Sequence, residues 1–227
     1  MPPHGEGSGH AHDPIDNEDG LGLSLRTHID LAGVSCLNES IEGAGRSVLK
    51  YYEERMSTEP SLVSQEDDPE LLFYIPFSEA VSIQHLSIRS LENHDEERRV
   101  SPPRCIKLFT NRDNIDFDTA RNLQADMDLE LLPPHHDIAG TLDYPLRPAG
   151  RFQNISSITI LVVNNFTSPP AEEDDNEDEV STLITYLGFK GRGSKAKRQA
   201  VNAIYETKGM PKDHKVKDDM TNLILPK

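Results

Sequence analysis

The chain has 227 residues, a formal net charge of −16 and a sequence pI near 4.9. This excess of acidic side chains argues against a surface that follows nucleic-acid phosphates or anionic lipids, so we expect protein partners. No apolar run approaches the roughly 20 residues of a membrane span, and the N-terminal segment lacks the apolar stretch of a signal peptide. We therefore expect a cytoplasmic or nuclear protein in which Cys36 and Cys105 remain reduced thiols.

The two ends of the chain and one internal segment differ in composition from the rest. Residues 1–18 hold glycine, histidine, proline and acidic residues with few apolar side chains, which predicts a disordered tail. Residues 169–180, PPAEEDDNEDEV, form an acidic block that we expect to be a mobile, solvated loop. The folded domain is therefore predicted over 19–216, and a second tail over 217–227.

Short apolar stretches rich in β-branched and aromatic residues fill the region between these segments, separated by turn residues and charge runs. Helical signals are limited to a short turn over 47–55 and to the acid- and proline-capped stretch 67–72, which leads directly into a strand. The predicted strands are residues 23–31, 71–77, 81–90, 104–111, 140–146, 155–166, 182–191 and 200–207.

The stretch 71–90 carries the clearest strand pattern. Its first half places four apolar side chains on one face, with a period of two: Leu71, Phe73, Ile75 and Phe77. Its second half continues the period as far as Ile83, after which Leu86 and Ile88 are out of phase. A β-bulge near Gln84 or His85 would restore the register.

Many strands, few helices and long irregular connections predict an all-β protein, an antiparallel jelly-roll β-sandwich. We expect its core to include apolar residues from the three most apolar segments, namely Phe73, Ile75, Ile158, Ile160 and Leu187.

The stretch CLNESIEGAGRSVL (36–49) suggests either a phosphate-binding loop or a decorated turn. The phosphate loop of nucleotide hydrolases needs the sequence G-x-x-x-x-G-K-[ST] between a strand and a helix. Here Gly43 and Gly45 precede Arg46 without that spacing and without the lysine. We therefore interpret the stretch as a turn at an edge of the sandwich, in which Asn38 bonds to backbone groups and ties the loop that follows.

Cys36 in the same stretch could be a reactive thiol or a small buried side chain. A reactive thiol needs a cationic neighbour to lower its pKa, whereas the nearby Glu39 and Glu42 would raise it. We expect Cys36 and Cys105 to be unbridged and inert, and no C-x-x-C pair supports dithiol chemistry.

The histidines of the chain do not complete a metal site. His135 and His136 are adjacent in a Pro-Pro loop, so their side chains point to opposite sides of an extended backbone. The tail histidines, His4, His10 and His12, could hold a metal weakly, but no cysteine or rigid scaffold joins them. We expect no metal, no cofactor and no catalysis.

A basic stretch, KGRGSKAKR (190–198), begins with Lys190 at the end of a predicted strand. It could bind an anionic partner, pair loosely with the acidic residues 172–179, or be a solvated hairpin turn. The residues that we predict to bind a partner are Arg192, Lys195, Lys197 and Arg198.

Seven segments in chain order resemble the PITH domain family, and the match extends from about Leu21 to Val216. The first and the last are its most specific parts, and the apolar strands between them are less so. The segments are CLNES (36–40), PELLFYIPF (69–77), KLFTN (107–111), IDFD (115–118), RFQNISSITILVVNNF (151–166), TYLGFKG (185–191) and IYETKGMPKDHKV (204–216).

The family name describes a proteasome-interacting domain that occurs at the C-terminus of a thioredoxin-like protein and also alone, and this chain is similar to the stand-alone kind. The resemblance implies a jelly-roll sandwich similar to galactose-binding-like domains, with no established catalytic residues. We expect a monomeric, non-enzymatic protein-interaction module that associates with the proteasome or another protein. The alternative is a module that binds a small ligand with loops at one end of the sandwich.

Overall fold

The computed structural model describes residues 23–91, 100–134, 141–167 and 180–194. These residues form eleven strands: β1 (Leu23–Ser24), β2 (Ser35–Leu37), β3 (Leu62–Val63), β4 (Leu71–Arg89), β5 (Val100–Ser101), β6 (Pro103–Thr110), β7 (Met127–Glu130), β8 (Leu142–Pro145), β9 (Ile155–Asn165), β10 (Ser181–Ile184) and β11 (Tyr186–Gly193).

The helices of the described ranges are short. Two are α-helical, α1 (Ala44–Ser47) and α2 (Phe117–Asn122), and four are single 3-10 turns at Arg26–His28, Leu31–Gly33, Tyr52–Glu54 and Ala149–Phe152.

Strand β4 belongs to both layers of the sandwich. Its first half pairs with β2 on one side and with β9 on the other, and β9 continues the first sheet through β6 to β7. Its second half pairs with β8 and β11, and β11 continues the second sheet to β1. The pairing with β9 is irregular between Pro76 and Val81, where β4 passes from one sheet to the other. The predicted antiparallel jelly-roll sandwich is confirmed by this topology.

The core lies between the two sheets and follows the predicted period of two. Phe73 pairs with Ile160 and Ile75 with Ile158, and all four side chains are buried. Leu187 of the second sheet belongs to the same apolar cluster, so the five predicted core residues are confirmed. The rings of Phe77 and Phe189 pack edge to face in this core, with their centroids 5.9 Å apart.

The predicted β-bulge is also confirmed. His85 pairs with Lys190 and Ile83 with Gly191, which leaves Gln84 without a partner opposite it and exposed. The extra residue restores the phase of the second half of β4, so that Leu86 and Ile88 are buried on the core side with Ile83.

The outer face of the first sheet is covered by α2, which the sequence pattern did not predict. Asp116 caps this helix by accepting a hydrogen bond from the amide of Thr119 at 2.8 Å. Ala120 then packs on Leu72 and Leu161, which point away from the main core. Because both faces of β4 and β9 are buried here, their sequences read as continuous apolar runs rather than as a strict alternation.

A third, small sheet joins β3, β10 and β5, and its β10–β5 pair is parallel. The buried Asn165 at the end of β9 links the start of β10 to the residues that follow β9. Its Nδ2 donates to the carbonyl of Val180 at 2.6 Å, and its Oδ1 accepts from the amide of Thr167 at 3.1 Å. One side chain thus joins the backbone on both sides of residues 168–179.

Three sequence predictions need correction. Residues 23–31 form a strand only at Leu23–Ser24, because two 3-10 turns then bring Leu25 and Ile29 to the core. The predicted strand 182–191 is two strands, since the amide of Thr185 donates to Arg89 O where the chain leaves the third sheet for the second. Residues 67–72 form no helix, because Leu71 already starts β4.

The predicted helical turn over 47–55 corresponds to α1, which ends at Ser47, and to the 3-10 turn Tyr52–Glu54. The predicted strand 200–207 and the two tails lie outside the described residues, as does the acidic block except for Val180.

We predict that Ile160→Asp destabilises the domain by several kcal/mol, because it places an unpaired charge in the core. Ile41→Asp is the matched control, since Ile41 is 72% exposed and should tolerate the same change. Chemical denaturation of both variants measures the difference. Equal midpoints for the two would contradict the position assigned to Ile160.

Candidate functional site

Residues 36–49 form a turn in which the side chains of Asn38 and Glu39 make hydrogen bonds to the backbone. Strand β2 ends at Leu37, and Asn38 then adopts a left-handed backbone with φ of 68°. The Asn38 Nδ2 donates to the carbonyl of Glu70 at 2.7 Å. The prediction that Asn38 ties the loop after it is therefore wrong, because this side chain reaches the segment that precedes β4.

Glu39 ties that loop instead. Its two carboxylate oxygens accept hydrogen bonds from the amides of Gly43 and Gly45, each at 2.6 Å. Gly43 has a φ of 83°, which residues with a side chain rarely adopt. The amides that a phosphate would need are thus occupied by a carboxylate of the chain itself.

Cys36 lies beneath the same loop and is not bridged to Cys105. Burial raises the pKa of the Cys36 thiol well above its usual range, and the nearby charge of Glu39 adds to the effect. The thiol therefore stays protonated at neutral pH and is a poor nucleophile, as the acidic neighbours in the sequence predict.

A depression of about 440 Å³ opens beside α1. It is bounded by the first 3-10 turn, by α1 and by residues 50–60, here named the 50–60 segment. Arg26, Arg46 and Lys50 contribute positive charge to it, and Glu54 and Glu59 contribute negative charge.

The cations of this depression are held by backbone carbonyls. Arg26 donates through Nε to Leu49 O and stacks on the ring of Tyr51, 4.7 Å from its centroid. Arg46 donates from Nη2 to Val34 O at 3.3 Å. These contacts orient both guanidinium groups without neutralising them.

Lys50 is the buried member of the group, with 6% of its surface exposed. Its Nζ donates to Ser57 O at 3.0 Å. Burial lowers the pKa of Lys50, and the charges of Glu59 and Glu54 act in the opposite direction. Lys50 is thus a desolvated cation whose counter-charges lie at a distance.

The far side of the 50–60 segment covers a second polar cluster on the outer face of the second sheet. Lys190 is 1% exposed, and its Nζ lies 2.9 Å from Asp143 Oδ2 and 4.8 Å from the centroid of the Tyr52 ring. Asp143 also accepts a hydrogen bond from the hydroxyl of Ser87. Lys190 therefore belongs to a buried ion pair, and its assignment to the solvated basic stretch is wrong.

Tyr186 completes this cluster beside Lys190. Its ring lies over Gly188, where an added Cβ would come within 2.4 Å of the tyrosine hydroxyl oxygen. Burial, reinforced by the charge of Asp143, raises the pKa of Tyr186 to about 12. The second sheet thus keeps a neutral phenol and a paired ammonium side by side under the 50–60 segment.

The structure places one of the four predicted partner-binding residues. Arg192 is exposed near the end of β11, and Lys195, Lys197 and Arg198 lie outside the described residues. The histidines weighed as metal ligands, His4, His10, His12, His135 and His136, also lie outside them. Within the described ranges no three residues of metal-binding type come together, and no helix is long and apolar enough to cross a membrane.

The sequence pattern missed both the depression and the buried cluster. One signal was present in SVLKYYEER, where Lys50 follows the buried pair Val48 and Leu49 and precedes two tyrosines. A lysine in such an apolar setting indicates a desolvated ammonium or one lying along an apolar surface. The ion pair of Lys190 and Asp143 could not be predicted from the local sequence, because the two residues are 47 positions apart.

We predict that Gly45→Ala destabilises the protein by about 1–3 kcal/mol, because the new Cβ would lie 2.4 Å from the Cβ of Cys36. Gly150→Ala is the control, since its added Cβ would have no atom within 4 Å apart from those of its own neighbours in the chain. Urea denaturation should show a loss for the first variant only, and a loss of equal size in both would contradict the packing described here.

We predict that Tyr186 makes stability fall at alkaline pH. Its pKa is about 10 in the unfolded chain and about 12 in the native state. Between pH 10 and pH 12 the native state therefore binds more protons than the unfolded state. The contribution of Tyr186 to the free energy of unfolding is complete below pH 10 and is lost as the pH rises through 12. A pKa shift of this size corresponds to about 3 kcal/mol.

The measurement is the free energy of unfolding from pH 8 to 12 for the native sequence and for Tyr186→Phe. The variant should show the shallower decrease. Tyr51→Phe, at an exposed tyrosine, should keep the native slope. A native slope in Tyr186→Phe would show that other groups cause the alkaline loss.

Solved structures with partial similarity to this chain have low sequence identity to it. They include the CBM32-3 module from a family 31 glycoside hydrolase of Clostridium perfringens, with 13% identity and a TM-score of 0.46 over 73% of this chain and 95% of that chain. The C-terminal domain of a chitobiase from Bacteroides fragilis has 13% identity and a TM-score of 0.42 over 73% and 93%.

Relatives at higher identity cover most of the chain. The PITH domain-containing protein 1 of Xenopus laevis is 35% identical over 216 residues, which are 94% of this chain and 92% of the relative. Its counterpart in Homo sapiens is 32% identical over 198 residues, 87% of this chain and 83% of the relative. A family model described as the PITH domain matches residues 16–209. The chain therefore belongs to the PITH domain family, as the resemblance of its sequence predicted.

Proposed function

We propose that this chain is a non-catalytic protein-interaction module that associates with the proteasome. The observation that carries the proposal is the family match over residues 16–209, because the family name describes a proteasome-interacting domain. The same proposal describes the chain as a monomer in the cytosol or the nucleus, acting without metal or cofactor and without contact to nucleic acid or membrane.

The chemistry of the 36–49 turn supports the non-catalytic part of this proposal. The amides of Gly43 and Gly45 are occupied by Glu39, and the Cys36 thiol is kept protonated by burial. The two groups in this turn that could have served phosphate or thiol chemistry are therefore committed to structure.

The 50–60 segment is one candidate contact surface. Tyr51 is 51% exposed and Met56 is 42% exposed, and Arg26 stacks on Tyr51. Tyrosine and arginine are enriched among the residues that dominate binding energy at protein interfaces. The basic residues Arg192, Lys195, Lys197 and Arg198 remain the second candidate surface, suited to an acidic partner.

A module that binds a small ligand is the second candidate function. The depression beside the 50–60 segment favours it, because its volume of about 440 Å³ is within the range of small-molecule sites. A ligand-induced rise in thermal midpoint, abolished by substitutions in the depression, would support this candidate.

We predict that the purified chain captures proteasome subunits from cell lysate at moderate salt. An unrelated acidic β-sandwich serves as the control, because it matches the fold class and the charge. Enrichment no greater than that of the control would contradict proteasome association for this protein and would favour the ligand-binding candidate.

Charge reversal separates the two candidate surfaces. Replacing Arg192, Lys195, Lys197 and Arg198 by Glu should abolish capture if the basic stretch meets an acidic partner surface. Undiminished capture would exclude the basic stretch. It would leave two surfaces to be tested, the 50–60 segment and the acidic residues 172–179, which suit a basic partner.

A further inference from the structure

The depression beside the 50–60 segment gathers positive charge in a strongly acidic protein. Arg26, Arg46 and Lys50 line it, although the chain has 39 acidic residues and 23 lysines and arginines. Among the residues that the structure describes, no carboxylate lies within 4.0 Å of these three cations, whereas Arg121 and Lys190 are paired. Three unpaired cations on one concave surface are the electrostatic complement of an anionic group.

The hydrogen-bond donors of these cations are only partly used. Lys50 donates one of its three hydrogens to Ser57 O, and Arg26 donates Nε to Leu49 O. The terminal amino groups of Arg26 remain, and stacking on Tyr51 fixes the plane of the guanidinium. A fixed guanidinium and an ammonium group that line the same depression supply charge-assisted donors that a carboxylate accepts.

The acidic residues of the depression restrict the anions that fit. Glu54 and Glu59 are exposed, and their charges leave the five charged groups with one net positive charge. A polyanion would be attracted by the cations but repelled by the carboxylates of Glu54 and Glu59. A single carboxylate can contact the cations and leave Glu54 and Glu59 for a basic group next to it in the ligand.

We propose that the depression receives the carboxylate of an acidic side chain from an extended segment of a protein partner, with Lys50, Arg26 and Arg46 as its charged contacts. The proposal rests on the proposed role of the chain as an interaction module. A basic residue next to that acidic residue in the partner would face Glu54 and Glu59.

Lys50 gives the proposal an independent test. A buried ammonium without a close counter-charge disfavours the folded state, so its replacement by an apolar side chain of similar length should not lower stability. A residue that is neutral or unfavourable for folding and required for binding is the pattern expected of a functional position. Lys50→Met should therefore keep or raise the thermal midpoint and lose binding.

The probe is an acetylated and amidated peptide, Gly-Ser-Glu-Lys-Gly-Ser, titrated into the full ¹⁵N-labelled chain at low salt. We expect amide shifts centred on residue 26 and residues 46–60, with a dissociation constant on the order of 1 mM. The same peptide with Gln in place of Glu should bind at least tenfold more weakly. Inorganic phosphate at the same concentration should not reproduce the shifts.

Matched arginines provide the variants. Arg46 and Arg147 are both exposed, and only Arg46 lines the depression. Arg46→Gln and Lys50→Met should each weaken the peptide at least tenfold, whereas Arg147→Gln should leave its affinity unchanged. The thermal midpoint of each variant is measured first, so that a loss of fold is not taken for a loss of binding.

Three results would overturn the proposal: equal binding of the Gln peptide, full affinity in folded Lys50→Met, or equal shifts with phosphate alone. The last would identify a small-anion site instead. Proteasome capture is a separate readout. Failure of capture with intact peptide binding would refute the proteasome as partner, and successful capture without peptide binding would refute this use of the depression.

Discussion

The fold depends on one strand that serves two sheets. Because β4 runs from Leu71 to Arg89, its pairing with β9 fixes the register of the first sheet and its pairing with β11 fixes that of the second. A shift of one residue in either pairing would turn a whole apolar face outwards. The bulge at Gln84 keeps both faces in phase, so the two sheets close on one core.

The second sheet also determines where the polar chemistry of the molecule lies. Its inner side chains are apolar, and its outer face carries Lys190, Asp143 and Tyr186 beneath the 50–60 segment. That segment contacts this buried cluster through Tyr52 and borders the depression through Lys50 and Tyr51. The 50–60 segment is therefore the element that the depression and the buried cluster share.

The sequence predicts the parts of this structure that follow from local pattern. The strand segments predict the period of two in 71–77, the phase change near Gln84, and the burial of Ile158 and Ile160. Residues 23–31 alternate as a strand would, yet tertiary packing turns them into 3-10 turns. The Lys190–Asp143 pair could not be predicted, because 47 positions separate its two residues. Residues 46–60 supply most of the depression, but the local signal at Lys50 does not show that they meet Arg26 and Leu31.

Asn165 has a consequence for how this protein can vary. Its side chain bonds to Val180 O and to the amide of Thr167, so one residue anchors the backbone at both ends of the connection 168–179. A connection between two anchors held this close can change in length at small cost, since each doubling of loop length adds only about 0.6 kcal/mol of closure entropy. We therefore expect that residues inserted between positions 168 and 179 would leave the register of the sandwich unchanged.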